Sequence, residues 1–322
     1  MSPSTIGSLI QDVAQRLEIT WVAGMKGGDK PLRGDDGSRE HTLVGPLNLI
    51  HPNRIQLIGH AEMSYLNRLT SRGRADTIRQ LFISAPAAVI CIDNLEIPDY
   101  LIAAAISTGT PLLSSQADDQ RMLNNLQYFL SLELAERETL HGVFLEVLGI
   151  GVMLTGMVAS GKSELALELV ARGHRLIADD APEFARIAPD IIRGSCPPLL
   201  QDFIEVRGLG LLNVRSMFGD TAIKRSKYLR LIIHLAHLDD ENLAKMDRLT
   251  GSYSTRKILG LEIPLVTLPV APGRNMAILM ETAVRNYILR QAGYDASEDF
   301  VTRQRIAIEE SAETADENEQ IR

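Results

Sequence analysis

Gly156-Met157-Val158-Ala159-Ser160-Gly161-Lys162-Ser163 matches the phosphate-binding pattern G-x-x-x-x-G-K-[ST] at every fixed position. Upstream, the apolar run Val147 to Thr155 predicts a short buried strand. Downstream, Glu164 to Ala171 contains good helix formers, with Leu165 and Leu169 on one face, and Gly173 closes it. A strand, a glycine loop and a helix start together form an anion site. Glycines let backbone N–H groups wrap phosphate oxygens, and the helix N-terminus adds roughly half a positive charge. Lys162 can reach terminal phosphates, and the Ser163 hydroxyl can ligate Mg²⁺. The bare pattern arises by chance in on the order of one chain in a hundred of this size; the flanking strand and helix lower that further.

Beyond the loop helix, Leu176-Ile177-Ala178-Asp179-Asp180 is an apolar strand ending in two acids. Acids at a strand end beside a phosphate loop hold Mg²⁺ or activate a nucleophile; the plain alternative is a solvated turn. Phe203 to Val214 places Glu205 and Arg207 on one strand face before a turn containing Gly208 and Gly210. That face fits a metal ligand with a phosphate-binding cation, or equally an exposed ion pair. Leu229 to Ala236 reads as a buried strand, and Glu262 to Val270, interrupted by Pro264 and Pro269, as an edge strand. The basic run Lys224 to Arg230 reads as a solvated face rather than a docking surface. Asn275 is a candidate N-cap for a helix over Met276 to Leu289. The acidic tail predicts helix to about Ile308 and disorder in the last dozen residues.

The first part of the chain alternates strands (Trp21 to Gly24, Arg54 to Gly59, Ala87 to Ile92, Thr110 to Ser115) with helices (Ser8 to Leu17, Glu62 to Leu69, Pro98 to Ser107). This is an α/β pattern without a catalytic constellation of its own. A single long helix is expected over Ala117 to Glu138, with the domain junction inside it. The expected division is therefore residues 1–133, a regulatory or structural domain, and 134–322, the domain that carries the phosphate loop. With 322 residues, 45% hydrophobic content and a net charge of −8, two ordinary cores fit, and nucleic acid or anionic membrane is disfavoured as partner. No apolar run reaches the roughly 18 residues of a membrane span, and the first residues lack a signal-peptide pattern. Cys91 and Cys196 are expected as reduced, buried small hydrophobes of a cytoplasmic protein.

Several stretches together resemble the bacterial HPr kinase/phosphorylase family. In the first domain these are Asn53 to Gly59 and Glu62 to Leu66. In the second they are His141-Gly142, the phosphate loop, Ile177 to Asp180, Glu205 to Val214, Asp247-Arg248-Leu249 and Pro272 to Ala277. The Glu205 to Val214 run is the most specific, since unrelated phosphate-loop proteins lack it. The resemblance implies a mixed-sheet core like that of phosphoenolpyruvate carboxykinase, a homo-oligomer of hexameric type, and the phosphocarrier protein HPr as partner. It implies ATP or pyrophosphate with Mg²⁺, the metal held by Ser163 and Glu205. Lys162 would neutralise the transferred phosphoryl group and Asp180 would act as base, assisted by Asp179. His141 and Arg248 would lie beside them. For dephosphorylation it implies a region of Arg207, Gly208, Gly210, Pro269, Pro272, Gly273 and Arg274.

Two departures bear on this. Ala271 stands where the family has arginine before Pro-Gly-Arg, which removes a cation from the turn linked to dephosphorylation. Thr250 adds a residue within Asp247-Arg248-Leu249-Thr250-Gly251. The alternatives are a kinase-only enzyme, a small-molecule kinase on the same core, and a non-catalytic nucleotide-gated regulator. A GTPase or transport ATPase lacks its signatures here, as do eukaryotic protein kinases.

Overall fold

The structure, a computed structural model, describes residues 5–32, 43–50, 52–158, 160–236, 253–271 and 273–320. The chain divides into two compact units, residues 1–135 and 136–322.

The first unit is built from α1 (Ile6–Leu17), β1 (Ile19–Ala23), β2 (Val44–Pro46), β3 (Ile55–Ile58), α2 (His60–Arg68), α3 (Ser71–Ile83), β4 (Ala88–Cys91), α4 (Asp99–Thr108), β5 (Leu112–Ser115) and α5 (Asp119–Glu133). The sheet order is β1-β5-β4-β3-β2; β2 to β5 run parallel and β1 is antiparallel to β5. Period-two alternation sorts β4 between two cores: Ala88 and Ile90 pack with residues of α1 and α5, whereas Val89 and Cys91 pack with residues of α2, α3 and α4. A sheet covered on both faces explains why β3 and β4 are buried throughout. Gln56 is one of these fully buried positions, and its amide bonds the Asn48 backbone on both sides. Burial pushes the Cys91 thiol up to about 12, in keeping with the buried hydrophobe expected, whereas Cys196 is only half-buried.

Two expectations need correction here. α3 has no counterpart among the expected helices, because Arg72, Gly73, Arg74 and Asp76 mask its apolar face of Ile78, Leu81 and Phe82. Thr70 starts it by accepting the Gly73 N–H at 3.2 Å. The long helix expected over Ala117 to Glu138 runs only over α5. Asp118 caps it, and the residues after it begin a strand of the second unit.

The second unit contains β6 (Glu136–Thr139), β7 (Val143–Val147), β8 (Ile150–Gly156), α6 (Lys162–Ala171), β9 (Arg175–Ala178), β10 (Glu183–Ala188), β11 (Ile191–Ser195), β12 (Phe203–Val206), β13 (Gly210–Asn213), α7 (Val214–Phe218), β14 (Ser226–Ala236), β15 (Tyr253–Ile258), β16 (Leu261–Pro269), α8 (Met276–Gln291) and α9 (Ala296–Gln320). Its main sheet runs β6-β10-β11-β14-β8-β7-β9, with β16 also paired to β14 and β15 beyond it. β8, β14 and β16 are mutually parallel and the other pairings are antiparallel, so the sheet is mixed. One face packs on α6 and α8 through Leu165, Leu169, Met280 and Val284; the other carries the Phe144–Phe184 edge-to-face pair.

The apolar run from Val147 is a hairpin rather than one strand. Leu148 (φ 51°) and Gly149 (φ 81°) make a two-residue turn between β7 and β8. A leucine in place of the usual asparagine at that turn hides it in the sequence. β16 is not an edge strand either. Among the described residues, Pro264 pairs only toward β15, and Pro269 only toward β14. Each proline therefore sits where one ladder is absent, which its missing N–H permits. α9 continues to Gln320, beyond the expected stop near Ile308.

The basic run that leads into β14 is a structural cluster rather than a merely solvated face. Lys224 Nζ and Lys227 Nζ lie 2.7 and 2.8 Å from Glu146 Oε2, and Arg175 lies 3.6 Å from Oε1. Burial alone would raise the Glu146 carboxyl, but the two ammonium groups outweigh it and hold the carboxyl below its usual range. A depressed folded value makes this contribution present above the unfolded carboxylate pKa and lost as pH falls through the folded one. Glu146→Gln is expected to destabilise the second unit by about 1–3 kcal/mol at neutral pH. Thermal melts of both proteins across the acidic range should converge as pH falls.

Candidate active site

The mixed sheet brings the chemistry to one edge. β8, β14 and β16 end together: Gly156 pairs with Leu235, and Pro269 with Ala236. β9 also ends on this side and β7 begins there, because each is antiparallel to its neighbour. The phosphate loop, Asp179-Asp180, His141 and the turn after β16 thus converge on one edge.

The loop is shaped for close approach. Gly161 takes φ +80° as it enters α6, a left-handed conformation that favours glycine. A Cβ at Gly156 would meet Ser160 Oγ at 2.8 Å and the Leu235 carbonyl at 2.9 Å. Ser160 Oγ is buried without a hydrogen-bond partner among the described residues. The ammonium of Lys162 crosses the loop and donates to the carbonyls of Gly156 (3.2 Å) and Met157 (2.9 Å). The side chains of Met157 and Val158 point outward, 69% and 92% exposed. Ala159 lies outside the described residues.

The two acids divide their work. Asp179, at the end of β9, is buried and accepts from Ser163 Oγ at 3.2 Å and from the Glu205 N–H at 2.9 Å. It thereby ties the start of α6 to the β12–β13 hairpin. Burial pushes its carboxyl above the ordinary range, against the opposing pull of the Glu205 and Ser163 hydrogen bonds. Asp180 is exposed and held at φ +66°, a sparsely populated conformation for a non-glycine residue. Its Oδ1 lies 3.4 Å from His141 Nδ1, and its carbonyl accepts the Gly142 N–H at 3.2 Å.

Glu205 enters the site through its backbone bond to Asp179, while its side chain is exposed opposite Leu211. Arg207 is exposed beyond the end of β12, in the turn with Gly208 that leads to Gly210. Pro269 closes β16; Gly273 (φ +81°) and Arg274, which donates its N–H to the Ala271 carbonyl at 3.3 Å, form the following turn. Asn275 caps α8 by accepting the Ile278 N–H at 3.0 Å. Arg248 and Pro272 lie outside the described residues. The sequence ranks Asp179 only as an assistant, yet its position as the first acid after the apolar strand is the signal for the buried link to Ser163.

Among the described residues, no group of three His, Cys, Asp or Glu side chains forms a metal cage. The donors present are the hard oxygens of Ser163, Asp179 and Glu205, the set that suits Mg²⁺ when phosphates complete its shell. The glycine cradle, helix start and lysine suit a nucleotide polyphosphate or pyrophosphate.

A strand–loop–helix anion site, a buried aspartate on the loop serine and a second, exposed aspartate define a phosphate-loop phosphotransferase site on a mixed sheet. The comparisons with known proteins narrow the class. The model described as HPr Serine kinase N terminus matches residues 5–130, and the HPr Serine kinase C-terminal domain matches residues 132–304. The HPr kinase/phosphorylase of Stenotrophomonas maltophilia (strain K279a) is 50% identical over 301 residues, 93% of this chain and 95% of that protein. That of Xanthomonas campestris pv. campestris (strain B100) is 48% identical over the same shares. The structure of the Hpr(Ser) kinase/phosphatase from Coxiella burnetii is 37% identical, with a TM-score of 0.45, covering 51% of this chain and 98% of that one. The chain belongs to the HPr serine kinase family. The two-part α/β architecture with a mixed-sheet phosphate-loop domain agrees with that membership.

Proposed function

We propose that this protein phosphorylates a serine of HPr using ATP or pyrophosphate, and runs the reverse phosphorolysis of phosphoserine-HPr with inorganic phosphate. The observation that carries the reading is the pairing of the two aspartates. Asp179 is committed to Ser163 and Glu205, which leaves the exposed Asp180 free to meet an incoming hydroxyl.

In the forward direction, backbone N–H groups of the loop and the start of α6 hold the donor's phosphates. Lys162 leaves its loop carbonyls to reach the transferred group. Asp180 accepts the serine proton as the serine oxygen bonds to phosphorus and the donor's bridging P–O bond breaks. His141, beside Asp180, orients the carboxylate. Ser163 and Glu205, with Asp179 behind them, would hold Mg²⁺, which would supply charge neutralisation on the donor phosphates. In reverse, Asp180 returns the proton to the leaving serine oxygen while inorganic phosphate takes the phosphoryl group to give pyrophosphate. Arg274 and Arg207 are the exposed cations for that phosphate.

The surroundings favour a protein substrate over a small molecule. Met157, Val158, Leu209 and Leu211 leave 69%, 92%, 69% and 66% of their surface exposed in the loop and the β12–β13 hairpin. Exposed apolar residues grouped at a site mark a macromolecular contact. Family membership supports a homo-oligomer of hexameric type and a cytoplasmic setting. Among the described residues, no helix is long and apolar enough to cross a membrane. The test is mass analysis of HPr incubated with this protein, Mg²⁺ and each donor, then with excess phosphate. Phosphoserine that forms and is then removed with pyrophosphate release supports both directions. Formation without reversal leaves a kinase-only enzyme, with Ala271 the first residue to test by Ala271→Arg.

A further inference from the structure

The first unit holds a cavity of about 540 Å³ between α3 and α4, within the range of small-molecule pockets. Its floor is apolar: Ile78 and Phe82 are 7% and 5% exposed, with Ala104 opposite. Arg74 and Arg79 line it, and no Asp or Glu does. In a chain of net charge −8, two cations without an acid on one wall is a local reversal of sign.

The two arginines differ. Arg79 lies 3.5 Å from Asp76, with both side chains well exposed, so that pair holds it weakly. Arg74 makes no ion pair with the described residues. Its guanidinium carbon sits 5.1 Å from the centre of the Tyr100 ring. The ring in turn is fixed by its hydroxyl, which reaches Met63 Sδ at 3.8 Å. A guanidinium stacked on an anchored ring keeps its planar fork of donors ordered for a carboxylate, sulfonate or phosphate.

We propose that the α3–α4 groove binds a small organic anion with a flat apolar body, its charge on Arg74 and its body against Ile78 and Phe82. The site belongs wholly to the first unit and uses no residue of the phosphate loop. Its proof does not depend on the activity proposed above.

The experiment uses the full chain with ¹³C-labelled isoleucine methyls and two probes of equal shape, naphthalene-2-carboxylate and its neutral carboxamide. The carboxylate is expected to shift the methyls of Ile78 and Ile83 saturably. It should bind at least about tenfold more tightly than the amide, the value of a charge-assisted contact. Arg74→Gln is expected to reduce the carboxylate to the amide's affinity, and Ala104→Trp to abolish binding of both by filling the groove. Should Ala104→Trp fail to fold, Arg74→Gln, which keeps the inner methylenes of a half-buried side chain, carries the test alone. Equal affinity for the two probes, a carboxylate affinity unchanged by Arg74→Gln, or saturable shifts confined to methyls outside α3 and α4 would each overturn the proposal. So would the absence of any saturable shift.

Discussion

Asp180→Asn is expected to slow serine phosphorylation by about 10²- to 10⁴-fold, the contribution of a positioned general base, while nucleotide affinity stays unchanged. The amide is isosteric but accepts no proton, so the serine oxygen must attack without its proton being removed. Among the described residues, no hydrogen bond links the Asp180 side chain to the nucleotide cradle: it faces His141 at 3.4 Å, and its carbonyl accepts the Gly142 N–H. The loss should therefore appear in the single-turnover rate of phosphoryl transfer and not in equilibrium binding of the nucleotide. Phosphorolysis should fall in parallel, because the same oxygen returns the proton. A variant that lost nucleotide binding and kept its transfer rate would remove Asp180 from the chemistry.

Asp179→Asn separates function from stability. The asparagine oxygen can still accept the Glu205 N–H, and its amide can donate to Ser163 Oγ, so both anchors survive with one bond reversed. What disappears is the buried negative charge behind Ser163 and Glu205, the proposed metal ligands. A loss of about 10- to 100-fold in activity or Mg²⁺ affinity is expected from removing such a supporting group. The stability effect has the opposite sign. Burial raises the folded-state pKa of Asp179, so ionisation costs the native state more than the unfolded one. The parent therefore loses stability as pH rises from the unfolded to the folded value, and the amide variant does not. Its Tm at neutral pH is expected to equal or exceed the parent's, with the difference shrinking on acidification. A Tm several degrees lower at neutral pH would contradict this. Glu146, whose carboxyl is held low by Lys224 and Lys227, gives the reverse pH dependence in the same unit and serves as an internal control.

The phosphate loop was legible because its glycines and lysine are fixed by contact with backbone and phosphate, so spacing alone carries the information. Strands β3, β4, β5 and β14 were legible because burial on both faces leaves near-continuous apolar runs. Elements whose defining residue breaks its usual habit were not. Leu148 occupies a positive-φ turn position, so the β7–β8 hairpin reads as one strand. Prolines at 264 and 269 mark positions where a single ladder is missing, not a whole unpaired edge. α3 carries arginines along the face that lines its groove, which blurs its period. In the candidate site, residue types and spacing pointed to Lys162, Ser163, Asp179 and Asp180 and left Glu205 open between a metal ligand and a surface pair, while His141 entered only through the family resemblance. They did not show that Asp179 alone bridges Ser163 and the Glu205 backbone. That division is decided by which of two adjacent acids continues into the buried end of β9, a tertiary fact.

The most direct test of the account is the mass of HPr after incubation with this protein, Mg²⁺ and ATP or pyrophosphate, beside the Asp180→Asn variant. The account predicts one added phosphoryl group on a serine with the parent protein, and little or none with the variant over the same interval. Unmodified HPr with both donors, while the parent binds nucleotide tightly and folds normally, would contradict it.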